Sequence, residues 1–198
     1  MKFCGLISGG KDSIFNVIKA IEYGHQLVCL ANLKPKQESV QELDSFMFQT
    51  VGHTVIQQIA DAIGVPLIRR EFDGSFIWFH FLTWFFFSQY HNILVAKQKD
   101  ITYDSSKVIS NDDEVEDLYE LIKDVKERFP DIEGIASGAV LSNYQRNRVE
   151  NVCQRLGLVS LAFLWRRDQQ ELLDDMIDNY DIEGNFFFSF KTTKYQRM

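Results

Sequence analysis

The sequence predicts an α/β domain, a five-stranded parallel sheet with helices on both faces. Three observations predict it. Short apolar runs alternate with amphipathic helical stretches along most of the chain. A glycine-rich turn joins the first apolar run to the first helical stretch. The chain has 198 residues and 45% hydrophobic content, which supply one core and hardly two.

Each element has its own signal. Phe3 to Ile7 is a short apolar run closed by glycines and reads as a buried strand. Asp12 to Tyr23 reads as a helix, with Ile14, Val17, Ile18 and Ile21 expected on one face and Gly24 as the stop. Gln26 to Leu33 is expected to be the second strand, and Val51 to Ile63 the second helix with Val55, Ile59 and Ala62 inward. Pro66 to Phe72 reads as the third strand. A helix from about Asp113 to Phe129 would bury Val115, Leu118, Tyr119, Ile122 and Val125, with Asp113 and Glu116 as its cap. Gly134 to Val140 reads as the fourth strand. Ser142 to Leu156 follows as a helix, with Ser142 and Gln145 forming a capping box and Gly157 ending it, and Leu158 to Leu164 reads as the fifth strand.

Two stretches break the alternation. FIWFHFLTWFFFSQYHNILVA, residues 76 to 96, has neither helical nor strand periodicity; the plain alternative is a buried strand. A membrane-spanning helix needs about 20 apolar residues. Here the run ends near Phe87 and contains His80, so no membrane insertion is expected. The tail from Asp181 to Met198 reads as an unpacked end. The expected organisation is one domain over 1–177, interrupted at about 76–98, and a divergent, unstructured tail over 178–198.

A formal charge of −7 gives no general attraction to nucleic acid or to an anionic membrane, so neither is expected as a partner. Cys4, Cys29 and Cys153 are isolated from one another, which argues against a disulfide framework, a zinc site or a dithiol centre. They read as packing residues in a reducing cytosol. The first strand begins after only Met1 and Lys2, leaving no room for a targeting peptide, so a cytoplasmic protein is expected.

The chemistry lies in LISGGKDS, residues 6 to 13. Gly5 to Lys11 satisfies the first seven positions of the Walker pattern G-x-x-x-x-G-K, but Asp12 stands where a Ser or Thr should hold magnesium. Leu6 and Ile7 belong to the strand, so the turn proper is Ser8, Gly9, Gly10, Lys11, Asp12 and Ser13. Glycines let backbone approach an anion, and first-turn N–H groups and the helix dipole attract it. Ser8 and Ser13 add hydroxyls, and Asp12 can hold the metal that accompanies a polyphosphate. This is an S-G-G-x-D-S pyrophosphate loop.

The loop resembles that of the N-type ATP pyrophosphatase, or PP-loop, superfamily, whose fold is HUP-like and Rossmann-like. Its members cleave ATP between the α and β phosphates and pass the adenylyl group to a substrate oxygen. ELDSFMFQTVGH (42–53), DEVEDLYELIKDVK (113–126), EGIASGAVLSNYQRNRVENVCQRLGL (133–158) and LAFLWRRDQQELLDDMI (161–177) follow in order. They make the chain similar to the diphthine-ammonia ligase family over roughly 1–74 and 100–177. The resemblance implies ATP-dependent amidation of diphthine on translation elongation factor 2 with ammonia, through an adenylated carboxylate, releasing AMP and pyrophosphate. Positioning and charge stabilisation would suffice, with no nucleophilic Cys or Ser. Family members continue past the counterpart of Ile177 into a portion with a C-G-E-G-G-E-Y-E-T type signature. This chain is expected to lack most of that portion, and 76–98 is expected to be an insertion. Both aberrant stretches are rich in Phe, Ile and Tyr, the reading expected of translated intron or mis-assigned sequence.

By the resemblance, Ser8, Gly9, Gly10, Lys11, Asp12, Ser13, Ala31, Asn32 and Gly138 hold ATP, with Asn32 near the adenosine and Gly138 letting the nucleotide approach. Asp12 would carry Mg2+ through ATP, Lys11 would reach the departing pyrophosphate, and Arg146 would neutralise the α-phosphate. These three are the expected catalytic residues. Gln49, His53, Tyr144 and Arg148 are the substrate candidates. His53 at a helix start also reads as a structural donor, the arginines as a solvated helix face, and Glu42 and Asp44 as loop carboxylates. Two other readings stay open: a catalytically silent ATP-binding isoform, and another PP-loop enzyme such as a tRNA-modifying one. A Walker-type NTPase would release ADP where a PP-loop enzyme releases AMP.

Overall fold

The computed structural model describes residues 1–35, 55–72 and 114–180. Strands β1 (Lys2–Leu6), β2 (Gln26–Pro35), β3 (Leu67–Phe72), β4 (Gly134–Ala136) and β5 (Val159–Leu161) form one sheet in the order β3-β2-β1-β4-β5. Every pair in it is parallel. The helices are α1 (Lys11–Glu22), α2 (Ile56–Ile63), α3 (Glu114–Arg128), α4 (Asn143–Leu156) and α5 (Gln169–Asp178).

Successive strand residues point to opposite faces, and the two faces are covered by different helices. On one, Phe3, Leu30, Ala136 and Leu161 pack with Val17 and Ala20 of α1 and Ile56 and Ala60 of α2. On the other, Cys4, Cys29, Ala31 and Ile135 pack with Val115, Leu118 and Ile122 of α3 and Val149 and Val152 of α4. The expected sheet with helices on both faces is therefore present. A third cluster, Phe15, Leu164, Leu172 and Met176, docks α5 on the outer side of α1.

Several sequence expectations shift. The buried face of α1 is Ser13, Asn16, Val17 and Ala20 along with Phe15, whereas Ile21 is 48% exposed. The cause is Asn16, fully buried, whose amide donates to the Leu161 carbonyl (2.8 Å) while its carbonyl accepts from the Phe163 N–H (2.8 Å). This polar clamp fixes the rotation of the helix. In α2, Ile56 and Ala60 are buried and Ile59 packs beside them as expected, whereas Val55 and Ala62 are exposed. The fourth and fifth strands end at Ala136 and Leu161, short of Val140 and Leu164, because the chain leaves the sheet there to wall a cavity and to turn into α5. Ser142 caps α4 as expected, accepting from the Gln145 N–H (3.2 Å). Glu116 does not serve as a cap: both its oxygens pair with Arg155 (2.7 and 2.9 Å), tying α3 to α4. Asp113 and residues 51–54 lie outside the described residues.

The helix α5 is absent from the sequence expectation, although its signal is present. Asp168 caps it, accepting from the Gln170 (2.9 Å) and Glu171 (3.1 Å) N–H groups. Leu172 and Met176, four apart, are its buried residues.

Candidate nucleotide site

The carboxyl ends of β1, β2 and β4 open into a cavity of about 350 Å3. Such an edge is where open parallel sheets bind ligands. The end of β1 is fixed first: the Ile7 N–H donates to the Ala31 carbonyl (3.0 Å), and the Asn32 amide donates to the Ile7 carbonyl (2.9 Å). The chain then turns at Gly9, whose φ of +84° suits glycine, and enters α1 through Gly10 in extended conformation.

Within the turn the hydroxyls hold its shape. Ser13 donates to the Gly10 carbonyl (2.8 Å) and accepts from the Ser8 N–H (3.2 Å), while Ser8 Oγ accepts from the Gly10 N–H (3.4 Å). Gly10 is the N-cap of α1 and offers no side chain to it. The first-turn N–H groups therefore remain available to an anion, at the positive end of the helix dipole. Lys11 Nζ and Asp12 Oδ1 pair at 2.8 Å at the start of α1, both side chains more than a third exposed.

The loop after β4 packs directly against this turn. A Cβ on Gly138 would stand 2.6 Å from the Ser13 backbone nitrogen and 2.7 Å from the Asp12 carbonyl carbon. The glycine is thus required by the backbone of α1 itself, and it also lines the cavity. Its neighbour Ser137 is 7% exposed, and its hydroxyl, in a residue of the cavity wall, has no hydrogen-bond partner among the described residues. A buried orphan hydroxyl is costly in the free protein, and a phosphate oxygen would satisfy it. The far end of the cavity is apolar, lined by Leu33, Leu118, Leu121 and Val149. One polar end at a glycine turn and one apolar end match the two ends of a nucleotide.

Comparison with known proteins identifies the family. The family model for the diphthamide synthase N-terminal domain matches residues 1–76 and 94–160. The chain belongs to that family. Curated relatives named diphthine-ammonia ligase include one from Saccharomyces cerevisiae, 44% identical over 176 residues. Those from Danio rerio and Homo sapiens are 46% and 45% identical over 180 and 183 residues. The alignments cover 89%, 90% and 90% of this chain but 22%, 61% and 58% of the relatives. The chain thus spans less than two thirds of the length of these curated relatives, about a fifth of the first and about three fifths of the other two. A solved chain from Methanocaldococcus jannaschii, described as a predicted subunit of tRNA methyltransferase, aligns with a TM-score of 0.41 at 13% identity. That alignment covers 87% of this chain and 72% of the other and carries no weight for function.

In this diphthamide synthase N-terminal domain, the cavity brings together Ser8, Gly10, Asp12, Ser13, Ala31, Asn32 and Gly138 of the expected set. Asn32 is a wall residue whose side chain is already engaged, donating to Ile7 and accepting from Arg69 Nε (3.1 Å). Its role is to hold the strand ends in place. Arg146 is not in the wall: its Nε pairs with Glu150 (2.5 Å) and its guanidinium lies 4.6 Å from the Trp165 ring centre. Arg148 stacks on the Tyr144 ring at 3.3 Å, and neither lines the cavity. The wall positions of α4 belong instead to Gln145 and Val149, with Ser142 before the helix. Gln49, His53, Glu42 and Asp44 lie outside the described residues. Leu118, Leu121 and Gln169 are wall residues the sequence reading missed. The leucines carry only the helical periodicity of a core, and Gln169 depends on the unassigned α5.

Proposed function

We propose that this chain binds Mg-ATP in the cavity and, as the nucleotide-binding part of a diphthine-ammonia ligase, activates the diphthine carboxylate of elongation factor 2 as an acyl adenylate. The single observation that carries the reading is the Ser8–Ser13 glycine turn, which opens on the cavity at the start of α1. The triphosphate would lie on the α1 N-terminus and the adenosine among Leu33, Leu118, Leu121 and Val149. Among the described residues no three His, Cys, Asp or Glu side chains gather to hold a metal ion. Magnesium would therefore arrive with the triphosphate and take Asp12 as its protein ligand, offsetting phosphate charge.

Chemically, a carboxylate oxygen attacks the α-phosphorus, the bond from that phosphorus to the bridging β-oxygen breaks, and pyrophosphate leaves. Ammonia then attacks the acyl carbon, AMP departs, and the ammonia nitrogen loses a proton as the amide forms. The chain's own contribution is alignment and charge: first-turn N–H groups and the Ser8, Ser13 and Ser137 hydroxyls hold the phosphates, and Lys11 meets the departing pyrophosphate. Arg146 would have to leave Glu150 and Trp165 to reach the α-phosphate. No described helix is long and apolar enough to cross a membrane. We place the reaction in the cytoplasm, where elongation factors work.

The test is a thermal melt with and without Mg-ATP, followed by product analysis. ATP at about 100 times its dissociation constant should add about 2.7 kcal/mol of stability, an upward shift of roughly 5 °C or more. Asp12→Asn should diminish that shift. AMP formation that needs ammonium and diphthine-bearing factor supports the ligase, ADP formation excludes it, and a shift without AMP leaves ATP binding alone.

A further inference from the structure

A second cavity, of about 240 Å3, adjoins the first. Val140, Leu173 and Met176 supply its apolar walls and Lys11, Asp12 and Gln169 its polar ones. Asp12, Val140 and Gln169 line both cavities, so the two meet along these residues. A group seated in the second cavity is thus one side chain away from the nucleotide proposed for the first.

The proposed acceptor makes definite demands on such a neighbour. Diphthine is a histidine whose ring bears a short aliphatic arm, and the arm's last carbon carries both a carboxylate and a trimethylammonium group. Its seat needs apolar walls for the arm and a donor for the carboxylate. It also needs a surface for a bulky cation that has no N–H to satisfy, and an opening toward the α-phosphorus. We infer that the second cavity is the seat of this arm, with Gln169 receiving the carboxylate. Gln169 offers an amide N–H2 at the start of α5. The Lys11 ammonium and Asp12 carboxylate stand side by side at 2.8 Å, which complements a ligand whose own opposite charges share one carbon. A weakly hydrated quaternary ammonium loses little on meeting the Met176 thioether and the Leu173 methyls.

The inference rests on the ligase reading, and its test separates the two. The probe is 2-(trimethylammonio)butyrate, the arm in free form, observed by saturation-transfer NMR with a non-hydrolysable ATP analogue present. The trimethyl protons should show contact with the wild-type chain at millimolar concentration. Leu173→Trp, which fills the cavity, and Gln169→Ala should each weaken binding about tenfold, while the melting shift caused by the ATP analogue stays as in wild type for Leu173→Trp. Leu173→Met should bind as wild type. Failure of the wild-type chain to bind the probe overturns the inference, as does undiminished binding by Leu173→Trp and Gln169→Ala. Displacement of the probe by the nucleotide also overturns it, since that would put the arm in the first cavity. The melting shift in the same samples reports on the nucleotide reading independently of all these outcomes.

Discussion

Gly138 and Ser137 are adjacent in the chain and face the same cavity, yet they predict opposite behaviour. At Gly138 a methyl group would meet the Ser13 and Asp12 backbone at 2.6 to 2.7 Å, and helix backbone cannot move aside as a flexible side chain can. Gly138→Ala should cost about 1–3 kcal/mol in a urea melt and reduce the ATP-induced shift, since the start of α1 must move. At Ser137 the hydroxyl is buried without a partner among the described residues. Removing it relieves a desolvation penalty, so Ser137→Ala should raise free-protein stability by about 1 kcal/mol while weakening ATP. A melt with and without nucleotide reads both effects, and loss of ligand-free stability in Ser137→Ala would remove the hydroxyl from the phosphate site. The loop itself was legible in sequence because six residues with special backbone and donor requirements follow one another. Ser137 was not assigned a role, since an unpaired hydroxyl is a property of the folded surroundings.

Among the elements, α1 is held at two places. Asn16 clamps its middle to the turn after β5, and Asn16→Leu leaves the Phe163 N–H without its acceptor, at a cost of about 1–3 kcal/mol measurable by denaturant titration. Lys19 fastens its last turn to α5. Its ammonium donates to Tyr180 Oη (2.7 Å) and pairs with Glu22 (3.1 Å) and Asp175 (3.6 Å). Burial pulls its pKa down, but the Tyr180 and Glu22 hydrogen bonds and the Asp175 charge outweigh that and leave it raised. The Asp175 pKa is lowered, by hydrogen bonds from Asn179 and then from Arg167. The raised lysine contributes stability fully below about pH 10.4 and loses it as pH climbs through the folded value; the lowered aspartate contributes above about pH 4 and loses it as pH falls. The melting-temperature difference between wild type and Lys19→Met should therefore be level between these limits and shrink beyond both. A difference that stays constant at pH 3 and pH 11, roughly one unit outside those limits, would remove the network. Apolar spacing located α1 in the sequence but gave its face wrongly, because periodicity counts Ile14 and Ile21 as inward and cannot see a buried Asn16. β4 and β5 were read too long for a related reason, since Ala139, Val140 and Leu164 are apolar for a cavity wall and the α5 contact.

For the molecule as a whole, the three cysteines read from sequence as packing residues are all buried. Burial, with the Glu150 charge second, pushes the Cys153 thiol up to about 12. The Cys4 thiol is raised by its hydrogen bond with Cys29, its partner in the β1/β2 register, and by burial. At pH 8, Cys153 should react with a disulfide reagent roughly a thousandfold more slowly in the native chain than after unfolding, in proportion to its lost thiolate. Rapid native labelling would show that the packing around α4 is looser than described. The order of the sheet was legible only as a parallel alternation, because which strands are neighbours depends on long-range pairing that no local window records. That order has a practical side. β1 and β2 come from the first third of the chain and β4 and β5 from the last, with β1 and β4 adjacent. Each segment holds half the cavity: Ser8, Ser13 and Leu33 on one, Leu118, Ser137 and Gln169 on the other. A nucleotide lying between them would act as an adhesive, so fragments 1–72 and 114–180, produced together, should be recovered as a pair more readily with Mg-ATP than without. The domain is, in that sense, a latent two-piece sensor whose output is its own assembly.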